Sequence, residues 1–256
     1  MKPLHLIFFL LLFSAAARAQ QPAGAPSDKP RALNLVKFNV TAPILKNYAL
    51  QYERIINKRI SVALSGRLMP ATNMPLKTTI KREVIVDDNP FLNDIIDQAK
   101  VSNVALTPEM RVYLGKKGFG HGFYVGPYYR FATYKLHETM LSYEVDAGQN
   151  YDLTLSGDLT SHTAGLLIGA QWHVGKHFSI DLWIAGPSIG GASGHVIGVS
   201  GQTIPAEAQQ ELRSYLEDID LPFVKETITV NANGGRMDLG GSWAGIRTGV
   251  LAAFRF

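Results

Sequence analysis

The sequence has no cysteine, which excludes a disulfide scaffold, a thiolate metal site, a cysteine nucleophile and a lipid anchor on cysteine. Charge is also scarce: 18% of the 256 residues are charged, against roughly 25% in an average soluble domain. Two of the 25 basic residues, Lys2 and Arg18, lie in a segment that is expected to be removed, which leaves 23 basic against 21 acidic residues. So small an excess does not indicate nucleic acid as a partner.

The N-terminal segment has the parts of a secretory signal: a basic start, an apolar run over Leu4–Phe13, and small residues at the two positions that a signal peptidase reads. Cleavage is predicted between Ala19 and Gln20, which makes residues 1–19 a signal peptide. The alternative is a membrane anchor, but the run is well short of the roughly 20 residues that a bilayer needs. Residues 20–31 are rich in Pro, Ala and Gln without periodicity, which indicates a flexible linker.

Apolar and polar residues alternate along eight segments of the remaining chain. In one of them Ile60, Val62 and Leu64 are apolar, whereas the residues between them are small or polar. Because successive side chains of a strand point to opposite faces, each segment is predicted to be a strand with one apolar and one polar face. The segments are 33–42, 47–56, 59–69, 104–114, 122–131, 163–174, 178–184 and 246–256.

The connections between these segments alternate between short and long. After a first tight turn near Pro43–Lys46, the short ones are Asn57–Arg59, Lys116–Phe119 and Gly175–His177, and the long ones are about 70–103, 137–159 and 190–242. This alternation is typical of outer-membrane barrels, which have short periplasmic turns and long external loops. The prediction is therefore an all-β fold over residues 32–256: an eight-stranded antiparallel up-and-down transmembrane β-barrel whose external loops bear short helices.

Two of the long loops carry helix signals. Pro90 follows an asparagine cap and precedes apolar residues with helical spacing, and Pro205 opens a second helical stretch over 206–218. These helices fit either a lid or receptor surface, or a cap that packs on the rim of the barrel.

The parity of the polar positions predicts how strands pair, because a one-residue slip would turn every polar side chain to the wrong face. It requires three-residue turns at Asn57–Arg59 and Gly175–His177 and a four-residue turn between Gly115 and Gly120. The predicted pairs are Glu53 with Ala63, Gln51 with Ser65, Gln171 with Asp181, Arg111 with Tyr124, and Glu109 with Gly126.

The polar face carries charges of both signs. An eight-stranded barrel is only wide enough for side chains to fill it, and buried charges must pair to survive desolvation. We therefore expect a packed, ion-paired structural lumen, with a proton path or a catalytic carboxylate pair as the functional alternative. The expected lumen cluster is Glu53, Arg67, Glu109, Arg111, Arg130, Asp181 and Arg247, and Lys37 and Arg255 share its face.

Catalytic candidates are few. Ser161 and His137 lie near the predicted outer ends of their strands, where a lipid A deacylase could use a serine, a histidine and an acid on an acyl ester. Adjacent Ser161 and His162 point to opposite faces of a strand and cannot partner each other. The histidines show no metal-ligand spacing, so no catalytic residue, metal or cofactor is assigned.

A resemblance to a known family rests on six short motifs: Gln51–Arg54, Asn57–Ser61, Pro108–Tyr113, Gly122–Arg130, Asp181–Leu182 and Gly186–Pro187. These motifs resemble the small outer-membrane β-barrel proteins of unknown function common in Bacteroidetes, related in shape to the OmpA transmembrane domain. The resemblance implies a fold and a cell outer membrane location, and it carries no assigned activity. Outer-membrane lipids and the barrel assembly machinery are the implied partners, the latter because the chain ends on alternating aromatics and a final Phe.

The predicted role is structural or one of surface interaction, with an external partner engaged through the long loops. Three alternatives stay open: a lipid-modifying hydrolase, a narrow channel, and a soluble periplasmic carrier of lipocalin type. In the carrier, the apolar faces would point inward around a ligand and the charged faces outward. The alternation of connections, and polar faces rich in Gly and Tyr, favour the membrane protein.

Overall fold

The computed structural model describes residues 32–84, 90–145, 149–217 and 224–256. The predicted cleavage site at Ala19 and Gln20, and the linker over 20–31, lie outside these residues. The described chain is dominated by nine strands. They are β1 (Asn34–Asn39), β2 (Tyr48–Ile55), β3 (Ile60–Asn73), β4 (Lys100–Tyr113), β5 (Gly122–Val145), β6 (Gln149–Val174), β7 (Phe178–Ser200), β8 (Val224–Asn231) and β9 (Gly234–Arg255).

The strands form one antiparallel sheet that closes into a barrel-like ring. Neighbours in sequence pair from β1 to β7, β9 pairs with β7, and β9 also pairs with β1 from Leu35↔Arg255 to Asn39↔Leu251. Strand β8 pairs only with the first part of β9 and so lies outside the closed ring of eight. The all-β antiparallel prediction is confirmed, while the ninth strand occurs inside the segment 190–242 that was predicted as a loop.

Two of the three turn-based register predictions are confirmed. Glu53 lies opposite Ala63, and the turn after β6 sets Gln171 opposite Asp181. Gln51 likewise lies opposite Ser65. Short turns between strands of known parity therefore determine these pairs.

The third register prediction, between β4 and β5, is wrong by two residues. Tyr124 pairs with Tyr113 and not with Arg111, and Glu109 pairs with Tyr128 and not with Gly126. A shift of two keeps every side chain on its predicted face.

The cause of the shift is a longer connection between Tyr113 and Gly122. Its residues fold across the end of the ring, where the Phe119 amide donates to the carbonyl of Lys58 at 2.8 Å. Gly118 and Gly120 have positive φ angles of 63° and 75°, a region that glycine enters without steric penalty. Parity could not reveal this, because a loop lengthened by an even number of residues preserves the alternation.

Strands β5 and β6 continue through most of the segment 137–159 that was predicted as a loop. They have 24 and 26 residues, far more than the roughly 9–11 residues of a membrane-spanning strand. Together with the later parts of β7 and the start of β9, they extend the sheet beyond the ring. We call this extension, with the helices that pack on it, the head.

Three α-helices and one short 3-10 helix complete the described chain: α1 (Lys77–Val84), α2 (Pro90–Gln98), α3 (Ala206–Glu217) and the 3-10 helix Ala42–Leu45. Helices α2 and α3 occur where the sequence predicts them, whereas α1 was not predicted. Ala208 and Leu212 of α3 are buried against Leu141 and Leu153 of the β5–β6 hairpin. The helix thus packs onto the sheet as a cap. None of the helices in the described part of the chain has the length and apolar character to cross a membrane.

Side chains are distributed inversely to those of a soluble protein. Each of the eight ring strands exposes large apolar residues on its outer face, while six charged residues inside are buried. Representative outward residues, at 37–72% exposure, are Val36, Phe38, Leu50, Leu64, Leu106, Phe123, Phe131, Leu166, Ile180, Ile184, Ile246 and Phe254. The charged faces of the strands therefore point into the ring.

Candidate functional site

Six charged side chains meet inside the ring at no more than 5% exposure. They come from five different strands, so their assembly depends on closure of the sheet. Three are cations and three are carboxylates, which makes the group formally neutral. The members of this ion-pair network are Lys37, Glu53, Glu109, Arg111, Asp181 and Arg247.

Arg111 is the centre of the network. Its Nη1 donates to Asp181 Oδ2 at 2.7 Å and to Glu53 Oε2 at 3.2 Å. Its Nε donates to Glu109 Oε1 at 2.5 Å, and Nη2 donates to Gln51 Oε1 at 2.9 Å. One guanidinium thus bridges all three carboxylates, because its planar fork presents five N–H donors in fixed directions.

Lys37 pairs with two of the same carboxylates, those of Glu53 and Asp181. Its Nζ lies 2.6 Å from Asp181 Oδ2 and also pairs with Glu53. The ammonium group of Lys37 also donates a hydrogen bond to Gln171 Oε1 at 2.5 Å. Gln171 in turn donates to the carbonyl of Gly120 at 2.7 Å, which ties the network to the loop that covers this end of the ring.

Hydroxyl groups saturate the remaining carboxylate oxygens. Tyr113 donates to Glu53 Oε1 at 2.8 Å, and Ser61 donates to the same oxygen. Tyr124 donates to Asp181 Oδ1 at 2.8 Å. Every carboxylate oxygen of Glu53 and Asp181 therefore accepts at least one hydrogen bond, as buried charges require.

Arg247 extends the network toward the head. Its Nη1 donates to Glu109 Oε2 at 2.5 Å and its Nη2 to Ser65 Oγ at 3.1 Å. The guanidinium stacks on the ring of Trp183, with Cζ 3.6 Å from the ring centroid. Its Nε has no partner within the described residues.

The two other members of the predicted lumen cluster do not join these ion pairs. Arg67 and Arg130 point inward but are only half buried. Arg130 Nε reaches only Thr107 Oγ1, at 3.3 Å, and Arg67 Nε is buried without a partner in the described chain. Five members of the predicted cluster therefore come together: Glu53, Glu109, Arg111, Asp181 and Arg247. The other two, Arg67 and Arg130, lie on the head side of this group.

Sequence reasoning placed Lys37 on the inner face but did not assign it to the cluster. It also missed the roles of Tyr113, Tyr124 and Gln171, although their positions were on the predicted polar faces. The only signal available was whether a residue occupies an odd or an even position along its strand. This position determines the face of the sheet but not the partner of the side chain.

The serine and histidine candidates are not assembled into a catalytic group. Ser161 faces the interior and is 2% exposed, and it lies opposite Ala132. His137 is five positions from Ala132 along β5, or about 17 Å of strand, and hydrogen-bonds Ser102 at 2.9 Å. His162 points outward and contacts the hydroxyl of Tyr129. Within the described residues, no group of three or more His, Asp or Glu side chains has the geometry to hold a metal ion.

Comparison with known proteins gives one result. A family model described as "Protein of unknown function (DUF3575)" matches residues 5–187. No curated protein matches the chain, and no solved structure matches it. The part of the expected resemblance that this supports is a family without an assigned function.

Proposed function

Because the chain belongs to the DUF3575 family of unknown function, we propose its role from geometry: an outer-membrane β-barrel protein with a sealed, ion-paired lumen and a head that acts in surface interaction. The finer features of this proposal are insertion in the outer membrane of a Gram-negative cell and export by a cleaved signal.

The observation that carries the proposal is the inverted distribution of side chains. Apolar residues cover the outside of all eight ring strands, and the charges lie inside. Monomeric soluble proteins rarely expose contiguous apolar patches larger than a few hundred Å². A bilayer would remove this surface from water, whereas a soluble barrel would leave it exposed.

Aromatic residues near the end of the ring with short turns also support contact of its outer face with a bilayer. Phe123 packs edge-on against Trp172, and Phe178 packs edge-on against Phe254. From Phe123 to Phe131 on β5 is about 27 Å of strand, which projects to about 20 Å at the usual tilt of barrel strands. This is close to the roughly 25 Å apolar band of outer-membrane barrels, which is bordered by aromatic girdles.

The interior argues for a structural role of the ring. Lys37 and Arg111 are 0% exposed, so neither side chain is in contact with solvent. The charged interior counts against a carrier of lipocalin type, and the sealed network counts against an open channel. The separation of Ser161 from His137 counts against a hydrolase built on that pair.

The head supplies the surface for interaction. Its hairpin strands and α3 share an apolar cluster that includes Tyr151, Leu155 and Ile204. This packing gives the head a defined shape on the side opposite the short turns. An external partner would therefore meet a folded surface and not a set of free loops.

The test compares two substitutions that introduce the same charge at similar exposure. Leu166, 47% exposed, lies in the middle of the apolar outer face of the ring strands. Val199, 54% exposed, lies at the far end of the head. A lysine near the bilayer midplane costs about 2–4 kcal/mol. The readout is the amount of protein in the outer-membrane fraction whose electrophoretic mobility shifts on boiling. We expect Leu166→Lys to reduce this amount and Val199→Lys to leave it unchanged.

The unsubstituted protein provides the basic readout. A mobility shift on boiling, in samples from the outer-membrane fraction, supports the proposal. A protein recovered from the soluble periplasm with no shift, together with equal behaviour of the two lysine variants, would overturn it.

A further inference from the structure

Three arginines form a layer on the head side of the ring interior: Arg67 on β3, Arg130 on β5 and Arg247 on β9, of which Arg247 also belongs to the ion-pair network. Arg247 is paired with Glu109. Within the described chain, neither Arg67 nor Arg130 has a carboxylate partner, and the hydrogen bond of Arg130 is to a neutral threonine. This arginine layer therefore carries positive charge that the carboxylates of the described residues do not neutralise.

The arginines of the layer share neighbouring residues. Arg247 donates to Ser65, which precedes Arg67 by two positions on the same inward face of β3. Arg130 and Arg247 both approach the ring of Tyr128, at 6.0 and 5.4 Å from its centroid. All three arginines therefore bring positive charge to one part of the ring interior, where like charges repel one another.

Unused hydrogen-bond donors mark the same region. The Nε atoms of Arg67 and Arg247 and the indole Nε1 of Trp183 are buried with no partner in the described residues. Arg247 and Trp183 are 3% and 5% exposed and stack on each other. Buried donors without acceptors are rare in folded proteins, and each such group calls for a partner.

The balance of charge indicates the kind of partner. The network and the layer together contain five cations and three carboxylates, an excess of two positive charges. They are Lys37, Arg67, Arg111, Arg130 and Arg247 against Glu53, Glu109 and Asp181. A phosphate group in its dianionic form carries two negative charges and offers several acceptor oxygens. A single guanidinium group can donate two parallel hydrogen bonds to two of these oxygens.

We propose that the arginine layer binds a phosphate dianion, supplied as inorganic phosphate or as the phosphate monoester of a larger molecule. Arg67 and Arg130 are half buried and so remain in contact with solvent, whereas the residues of the ion-pair network are buried. Thr107 and Thr163, which flank Arg130 on the neighbouring strands, add hydroxyl donors. The site is a property of the closed ring and does not depend on where the protein resides.

The experiment titrates the detergent-folded full chain with inorganic phosphate at pH 7.5 and constant ionic strength, by calorimetry. We expect saturable binding of one phosphate per chain. The double variant Arg67→Gln/Arg130→Gln is expected to weaken binding about tenfold or more, by loss of two charged hydrogen-bonding groups. The matched control is Arg236→Gln, an exposed arginine of the head that is paired with Asp238, and it is expected to bind as the unsubstituted chain does.

A second readout covers failure of the variant to fold. Because the double variant removes two unpaired interior charges, we expect it to unfold at a higher temperature than the unsubstituted chain in phosphate-free buffer. Added phosphate should then stabilise only the unsubstituted chain. Lower stability of the double variant without phosphate would contradict uncompensated charge in the layer.

Glycerol 3-phosphate separates the two sources of the anion. Tighter binding of the monoester than of inorganic phosphate indicates a phosphorylated ligand, and the reverse indicates free phosphate. If sodium chloride at matched ionic strength gives the same response as phosphate, or if the double variant binds phosphate as the unsubstituted chain does, the proposal is wrong. These outcomes are independent of the fractionation experiment, because they concern the folded ring in detergent.

Discussion

Arg111 Nη1 lies 2.7 Å from Asp181 Oδ2 although the two residues are 70 positions apart in the sequence. Strands β4 and β7, which carry them, are not neighbours in the sheet. The ion pair therefore crosses the interior of the ring and joins two strands that β5 and β6 separate in the sheet. Because Arg111 also bridges Glu53 and Glu109, its removal would leave three buried carboxylates short of a partner.

Replacing Arg111 with Met should strongly destabilise the protein. Breaking a buried ion pair by removing one partner costs about 3–5 kcal/mol, because the other charge stays buried and uncompensated. The control is Arg54→Met, since Arg54 points outward and hydrogen-bonds Asn34; its loss should cost less than about 1 kcal/mol. Urea-induced unfolding of the detergent-folded protein measures both, and equal losses would contradict a central role for Arg111.

Two tyrosines in the network differ in how replaceable their hydroxyls are. Tyr124 is the hydroxyl donor to Asp181 Oδ1 in the described structure, whereas Tyr113 shares Glu53 Oε1 with Ser61. Tyr124→Phe should lower the free energy of unfolding by about 1–3 kcal/mol, the penalty of an unsatisfied buried acceptor, and Tyr113→Phe by about 0.5–1.5 kcal/mol. The same unfolding experiment ranks them, and a larger loss for Tyr113→Phe would contradict the assignment.

Gly169 makes room for the ring of Tyr124. The two residues face each other across β5 and β6, and a Cβ at position 169 would overlap Cζ and the hydroxyl of the tyrosine. Gly169→Ala should therefore destabilise the protein by about 1–3 kcal/mol through overpacking. The control is Gly66→Ala, because a Cβ at position 66 has nothing within 4 Å; it should be neutral or slightly stabilising. Equal unfolding midpoints for the two variants would contradict this packing.

Alternation was enough to predict the faces of the strands but not the partners within the ring. Glu53, Glu109 and Asp181 were placed inside because each occupies a polar position in a period-two pattern. Which cation each would meet depends on strand order, on closure between β1 and β9, and on register. The register between β4 and β5 was out of reach, because the Phe119–Lys58 hydrogen bond that lengthens the connection is a tertiary contact.

The head was also poorly predicted, for a different reason. Part of the missed signal is present in the sequence, because Tyr151, Leu153 and Leu155 alternate with polar residues as in a strand. The structure buries these three side chains in the apolar cluster that includes residues of α3. Helix α3 was predicted from its local spacing and the proline before it, whereas the alternation in β8 is short, with Ile228 and Val230 between polar residues. Likewise, only the three-dimensional neighbours show that no acid among the described residues pairs with Arg67 or Arg130.

The sealed interior predicts the electrical behaviour of the reconstituted protein. Since Lys37 and Arg111 are 0% exposed, the unsubstituted protein should show no steady conductance in planar bilayers. Lys37→Ser/Asp181→Ser removes one cation and one carboxylate together, so the remaining network stays balanced while space for water opens. This double variant should conduct. A steady unitary conductance of the unsubstituted protein would show that the network does not seal the ring.

The packing of α3 predicts that the head can be disrupted while the ring persists. Leu212 is 1% exposed and belongs to the apolar cluster between α3 and the β5–β6 hairpin, so Leu212→Asp would bury a charge among apolar side chains. The matched control is Ser214→Asp, two positions along the same helix, where the side chain is exposed. Limited proteolysis should cleave the Leu212→Asp head rapidly and leave the Ser214→Asp head resistant. Both variants should retain the mobility shift on boiling, because the ion-pair network and the closure between β1 and β9 do not involve α3. Loss of that shift in Leu212→Asp alone would mean that ring and head fold as one cooperative unit.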